Sequence, residues 1–422
     1  MEYKTLDKKS YKLHFIKTDR FKTITIRVML RNKVEKEKIA LRNFLMDIMT
    51  FSTEAYPTRK ELVEHSQDLY GVNIYSRVYR IGRKNSMNLF ANFLNEKYTE
   101  EGMLEESIKF LSEILFHPNV ENKSFDKTSF QVIKNTMQAS LKTIKDNSKR
   151  YSLIRMLETM SSDAPYSYRE YGYQEDFDKI TEESLYEYYK DVIKNSNVDI
   201  YVLGNFNDKQ MEEYMDKYMH FNTLKKEDKQ IEIKHTSYRK KTQTKCEKEH
   251  FNQSKLSIGC KLLDLTPREK HYVLTLYNII LGGSADSKFF KNIREKHSIC
   301  YYINSTLKKL DNLLLIRSGI SKERFDEAIK LIKGEMQDMA KGKITEKEID
   351  AAKSLYLTSL EESYDDDEAI IDMYLAKDIT GIGDLDERKK EIMSVTKDEI
   401  VEVASKVKMD TIYLLEGDME DE

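Results

Sequence analysis

Two sets of side chains in this sequence have the types and spacing to do chemistry. The first lies in Leu281-Gly-Gly-Ser-Ala-Asp-Ser-Lys-Phe-Phe-Lys-Asn-Ile-Arg-Glu-Lys-His-Ser-Ile-Cys-Tyr-Tyr302. A small-residue turn here opens a helix that ends near His297, and a strand starts at Ile299. Arg294 stands near the helix end and Tyr301 stands on the strand, seven residues on. A guanidinium fork can clamp a carbonyl or carboxylate, and a phenol can donate to a developing oxyanion. Spacing alone favours a plainer reading, with Arg294 paired to Glu295 or Asp286 and Tyr301 packed in the core. The second set is Asn43 and Asp47, one helical turn apart with Met46 between them. They flank a stripe of Leu41, Phe44, Leu45, Ile48 and Met49 at the spacing of one buried helix face. Such a pair is either reactive or an ordinary solvated flank.

Other chemistries find little support. The eight histidines never fall three to five residues apart, so no helix turns two imidazoles toward one metal. The H-E-x-x-H and H-x-x-E-H patterns, the G-x-S-x-G elbow and the phosphate loop are absent. Tyr364-Asp-Asp-Asp-Glu368 could bind a cation, but such a run more often starts a helix, where carboxylates complement the dipole. Cys300 sits in an apolar run that favours an inert, buried thiol.

The elements around these residues are stated twice along the chain. Ile180-Thr-Glu-Glu-Ser-Leu185 opens a helix with Thr181 as N-cap, followed by the strand Val198–Gly204. Val395-Thr-Lys-Asp-Glu-Ile400, 215 residues later, opens another helix with a capping box from Thr396 to Glu399. It leads into the strand Thr411–Gly417. Ile108–Leu115 is echoed by Ile329–Met336, 221 residues on, and long helices follow from near Phe125 and Thr345. A period of half the chain predicts two homologous domains. Strands at Thr23–Leu30, Met87–Phe93, Ser254–Lys261 and Asn312–Ser318 mix with helices without a strict βαβ beat, so the expected class is α+β. The expected boundaries are residues 1–221, a polar, Lys-rich linker at 222–244, and residues 245–422.

Composition fits that reading. Of 422 residues, 40% are apolar and 34% charged, enough for more than one buried core beneath a charged surface. The formal net charge of −3 offers no basic footprint for nucleic acid. No apolar run resembles a signal peptide or a membrane span, and three cysteines without CxxC spacing argue against a disulfide framework. The expected compartment is the cytoplasm.

The 281–302 segment resembles the L-G-G-G-x-x-S-R-L-F-x-x-[IL]-R-E-K-x-G-L-x-Y-S signature of the pitrilysin/insulinase metallopeptidases, in their mitochondrial-processing-peptidase-like branch. His297-Ser298 replace x-Gly, and Tyr302 replaces Ser. The similarity extends over both halves and takes in Pro57, Thr58, Leu62, Leu69 and Gly71 after the first helix. It implies two tandem α/β-sandwich domains forming half of a clamshell. It also implies a role for Asn43-Phe-Leu-Met-Asp47, which falls where relatives carry two zinc-binding histidines and a glutamate general base. Met46 cannot take a proton, Asn43 is a poor zinc ligand, and the window for a further glutamate ligand offers only Glu121 and Asp126. Asn43, Met46 and Asp47 are therefore read as a degenerate metal site, with no metal or catalytic residue in this chain.

In that branch a zinc-less subunit pairs with a zinc-bearing one and supplies an Arg/Tyr pair that holds substrate. Arg294 and Tyr301 match that pair. The resemblance thus implies a non-catalytic subunit in a heterodimer with a zinc-bearing paralogue, with zinc in the partner and peptides as substrate. Within the branch, the chain is similar to bacterial zinc-less subunits associated with elongation factor P 5-aminopentanol modification. The alternative is a homodimer that binds peptides without a catalytic partner.

Overall fold

The computed structural model describes residues 1–222 and 231–417 and divides into two compact units. The first is built on a six-stranded sheet. Its elements begin with β1 (Glu2–Asp7), β2 (Lys12–Lys17), β3 (Thr23–Lys33), α1 (Ile39–Met49), α2 (Arg59–Asp68), β4 (Asn73–Ile81), β5 (Lys84–Leu94) and α3 (Met103–Phe116). The short hairpin β6 (Val120–Glu121) and β7 (Ser124–Phe125) leads into α4 (Lys127–Lys142). After α5 (Ser148–Met160), which belongs to the second unit, come α6 (Gln174–Phe177), α7 (Glu182–Asn195), β8 (Asn197–Gly204) and α8 (Asp208–Tyr218). The strand order is β1-β2-β8-β3-β5-β4.

The second unit repeats the plan. Its strands are β9 (Gln243–Glu249), β10 (Ser254–Leu262), β11 (Cys300–Lys308), β12 (Leu313–Ile320) and β13 (Val407–Gly417), in the order β9-β13-β10-β12-β11. In both sheets one parallel pair, β2 with β8 or β9 with β13, joins an otherwise antiparallel ladder. The second sheet is thus the first without β1. Between β10 and β11 runs α9 (Leu274–Asn278), flanked by π-helical turns Glu269–Val273 and Ile279–Gly283, and then a π-helix at Phe289–Glu295. The remaining helices are α10 (Phe325–Ala340), α11 (Glu346–Glu362), α12 (Asp367–Thr380), α13 (Leu385–Ser394) and α14 (Lys397–Lys406). The expected N-caps are in place: Thr181 opens α7 and the Thr396–Glu399 box opens α14, while Thr345 with Glu348 forms a further box at α11.

Alternation along the central strands decides what covers each sheet. Ile24, Ile26, Val28 and Leu30 of β3 enter the core shared with α1, α3 and α7. Arg27 and Arg31, on the opposite face, are nonetheless buried. Buried guanidinium groups require acceptors: Asp199 of β8 serves Arg31, and residues 365–372, far away in sequence, serve Arg27 and other polar groups of that face. Asp372 Oδ1 accepts from Arg27 at 2.6 Å, Glu368 accepts from Arg77 and Tyr75, and Asp367 accepts from Thr25 and from Asn92. The acidic run therefore closes a polar sheet face; it is neither a cation site nor a merely solvated helix start. The second sheet treats its outer face in the same way. There α5 packs Tyr151, Met156 and Met160 against Leu313, Leu315, Tyr413 and Leu415, and Ser152 meets Ser257 at 2.9 Å.

These exchanges modify the expected division. The first sheet ends before residue 222 and the second begins at Gln243, just inside the expected linker, yet residues 143–168 and 365–372 pack with the opposite half. The contiguous domains 1–221 and 245–422 are corrected to that extent, because each sheet's second face is covered from the other half. Within the expected linker, residues 223–230 lie outside the described residues, and Ile231 and Ile233 beyond them are buried.

Arg27 is 1% exposed while Asp372 is mostly open to solvent, so deleting the acid strands a buried cation. Asp372→Ala is expected to cost about 2 kcal/mol, between the values for exposed and fully buried pairs. Asp365→Ala, which breaks the exposed pair with Arg20, is expected to cost under about 0.5 kcal/mol. Urea unfolding of the two variants measures the contrast.

Candidate functional site

In the first unit, α1 follows the amphipathic pattern of its sequence and buries Phe44, Leu45, Ile48 and Met49. Phe44 stacks on Phe130 of α4, with ring centroids 4.7 Å apart. Asn43 is 7% exposed, and its Nδ2 donates to the carbonyl oxygens of Ile39 and Glu170, both at 2.9 Å. Its amide thereby ties α1 to the segment that precedes α6. Met46 is 1% exposed and belongs to the hydrophobic core. Asp47 is open to water on one side, and its carboxylate makes no hydrogen bond or ion pair among the described residues. The protein around it pushes the carboxyl up to about 6 through desolvation.

These residues do not fit a zinc ion. One carboxylate stands beside an amide already engaged and a thioether sunk in the core, whereas a zinc site needs at least three donors converging on one point. On α4, Gln131 Nε2 donates to Asn135 Oδ1 at 2.8 Å, and Asp126 Oδ1 caps the helix by accepting from Ser129 N at 2.7 Å. No group of three His, Cys, Asp or Glu side chains able to hold a metal occurs among the described residues. The pair flanking the stripe is therefore structural at Asn43 and a lone desolvated acid at Asp47.

In the second unit, the opposite holds for Arg294 and Tyr301. The π-helix at 289–295 turns Phe289 and Ile293 into the core and Arg294 outward. The Arg294 guanidinium lies over the Phe290 ring, 4.7 Å from its centroid. The turn that follows closes on Ser298, whose φ of 51° is left-handed. Relatives resembling this segment carry glycine there, the residue that adopts this conformation without strain. Beyond it, β11 begins with an irregularity between Cys300 and Tyr302, and Tyr301 at that point is 68% exposed.

Among the described residues, neither Arg294 nor Tyr301 makes a hydrogen bond or an ion pair. The plainer reading of the spacing is thus overturned: Asp286 pairs with Lys291 instead, and Tyr301 is outside the core. Leu281–Gly283 closes a helix rather than opening one, and a Cβ on Gly282 would lie 2.5 Å from the Phe289 ring. That close contact seats the π-helix. Cys300 is buried and its thiol is pushed up by desolvation, consistent with an inert role. Phe290, the platform for Arg294, was not singled out by sequence reasoning; the signal was an aromatic residue four positions earlier on one helix face.

The geometry comprises two repeated α+β units, an α1 whose Asn43 and Met46 are engaged in packing, and an exposed Arg294 and Tyr301. Known proteins share this plan. The description "Peptidase M16 inactive domain" matches residues 179–356. The chain is 28% identical over 410 residues to the probable inactive metalloprotease YmfF of Bacillus subtilis, covering 96% of this chain and 95% of that one. A conserved protein from Enterococcus faecalis superimposes with a TM-score of 0.93 at 25% identity, over the full length of both chains. A peptidase M16 inactive domain from Pseudomonas fluorescens does so at 0.80 and 17%, also over both full lengths. Over residues 179–356 the chain thus matches an M16 peptidase inactive domain, and along nearly its whole length it is similar to a probable inactive metalloprotease. No described helix is long and apolar enough to cross a membrane.

Two outcomes follow for α1. Met46→Glu, which restores the family's acid, is expected to destabilise the fold at pH 7 by on the order of 3 kcal/mol, since it buries an unpaired carboxylate. Chemical denaturation measures the loss, and elemental analysis of the variant is expected to find no stoichiometric zinc. Asp47 is raised in the folded state, so its contribution is present below the unfolded carboxyl range near 4 and lost as pH rises through 6. Asp47→Asn is therefore expected to raise Tm at pH 7 and to lose that advantage by pH 4.

Proposed function

We propose that this chain is the non-catalytic subunit of a heterodimeric metallopeptidase, paired with a zinc-bearing paralogue, and that it holds peptide substrate through Arg294 and Tyr301. The observation that carries this reading is the freedom of those two groups. A guanidinium and a phenol that both face water without internal partners are costly to keep ordered. Here they are seated on a rigid base: Phe289 and Ile293 are buried beneath the helix, Phe290 supports the guanidinium, and β12 holds β11. Groups so presented can donate to the carbonyl oxygens of an extended chain. The inactive-metalloprotease character of the B. subtilis relative supports the missing half of the chemistry lying elsewhere.

Within this reading, zinc and its activated water belong to the partner, and this chain aligns the peptide backbone. Arg294 supplies a charge-assisted donor and Tyr301 a neutral one, so their losses differ. In the reconstituted pair, Arg294→Ala is expected to lower kcat/KM for peptide cleavage about 10- to 100-fold, and Tyr301→Phe about 2- to 10-fold. Unchanged turnover in both variants would remove the assignment. Purification from native lysate supplies the partner test. Recovery of a homodimer with no zinc-bearing paralogue would favour a peptide-binding scaffold instead.

A further inference from the structure

Where α5 meets the second sheet, three cations, two on the sheet and one on the helix, have no carboxylate partner among the described residues. Lys255 on β10 is 7% exposed, and its ammonium donates only to Gln253 Oε1. Arg317 on β12 stands diagonally across the ladder from it, since Lys255 faces Gly319 and Ser257 faces Arg317. The Arg317 guanidinium makes no hydrogen bond or ion pair among the described residues, and its Nε is buried without an acceptor. Lys149, in the first turn of α5, rests its ammonium 4.4 Å from the centroid of the Tyr302 ring. The Tyr302 ring and Gln253 lie together over Gly319, where a Cβ would fall within 2.7 Å of both.

An open cavity of ≈ 430 Å³ adjoins Lys149 and Lys255, lined by these two with Thr143, Asp146, Asn147 and Ser148. The backbone N–H groups of Ser148 and Lys149 open toward the start of α5, where Asn147 caps only Arg150 N. Asp146 is the single carboxylate on the lining, and it pairs with none of the three cations. A buried ammonium and a half-buried guanidinium left without counter-charges are destabilising to the fold on their own. Burial and the neighbouring Lys149 both hold the Lys255 ammonium below its ordinary range.

We infer that Lys149, Lys255 and Arg317 form a carboxylate-binding site for peptide substrate, taking either an acidic side chain or the C-terminal carboxylate. The inference rests on the peptide-binding reading above and adds to it a substrate class. Tyr302 belongs to this site, and its neighbour Tyr301 belongs to the backbone-holding pair, so one strand start serves both. Excess positive charge with a cavity beside it selects for anions, and the selection weakens with salt.

Three fluorescein-labelled, extended decapeptides of neutral residues test this by anisotropy with the full chain. One has an amidated C-terminus and no acid, one a free C-terminus, and one an amidated C-terminus with a single internal Glu. At least one carboxylate-bearing peptide is expected to bind tenfold or more tightly than the amidated neutral one, with the preference falling at high salt. Lys255→Met and Arg317→Gln are each expected to abolish the preference, whereas Arg294→Ala weakens all three peptides alike. Lys255→Met is also expected to keep or raise Tm; should either core variant unfold, Lys149→Glu at an exposed position gives the same readout. Equal binding of all three peptides, or a preference that survives these substitutions, overturns the carboxylate site alone. Failure of every peptide to bind overturns both this site and the reading beneath it.

Discussion

A sheet has two faces, and neither half of this chain has helices enough to cover both of its own. That constraint organises the molecule. In the first unit the unpaired face carries the buried Arg27 beside Tyr75, Arg77, Thr25 and Asn92, and residues 365–372 bring Asp367, Glu368 and Asp372 as acceptors for them. In the second unit the corresponding face is mainly apolar, and α5 arrives with Tyr151, Met156 and Met160. The two donated segments hold equivalent places in the internal repeat, since α5 precedes α6 as α12 precedes α13. The exchange is therefore reciprocal, and its chemistry differs only because the receiving faces differ.

Helix α1 shows how side chains beside a buried stripe are taken up by their surroundings. An amphipathic helix is specified by its buried stripe, and that stripe is intact in α1. The positions flanking it are engaged individually. Asn43 satisfies two backbone carbonyls, Met46 fills core volume with a flexible thioether, and only Asp47 remains without a partner. Arg294 and Tyr301 went the other way and kept their side chains available. The two groups of residues thus differ in exposure: Asn43 and Met46 are taken up by the packing, and Arg294 and Tyr301 face water.

Much of this was legible from the sequence because local signals sufficed. The half-chain repeat, the threonine N-caps and the central strands rest on periodicity and capping, which are short-range. The Arg294–Tyr301 spacing was legible for the same reason, but their freedom was not, because it depends on Asp286 choosing Lys291. What escaped entirely was long-range. The acidic run at 364–368 finds its partners on strands some 275 to 342 residues earlier, and nothing in its own pattern names them. The Lys149, Lys255 and Arg317 group is scattered over a helix and two strands. Its only trace was a lysine in phase with Ser257 on β10, a position that a sheet with two covered faces would ordinarily fill with an uncharged residue.

The reciprocal exchange also sets an order of events during synthesis. The first sheet is encoded by residue 204, yet the segment that closes its arginine-bearing face is translated about 160 residues later. Until then that face stays incomplete, so the early half of the chain can reach its topology without reaching its final stability. Completion is a late, long-range event in which one stretch of helix start neutralises a surface made long before. Cutting the chain between its halves would consequently yield two fragments, each missing a piece that the other holds.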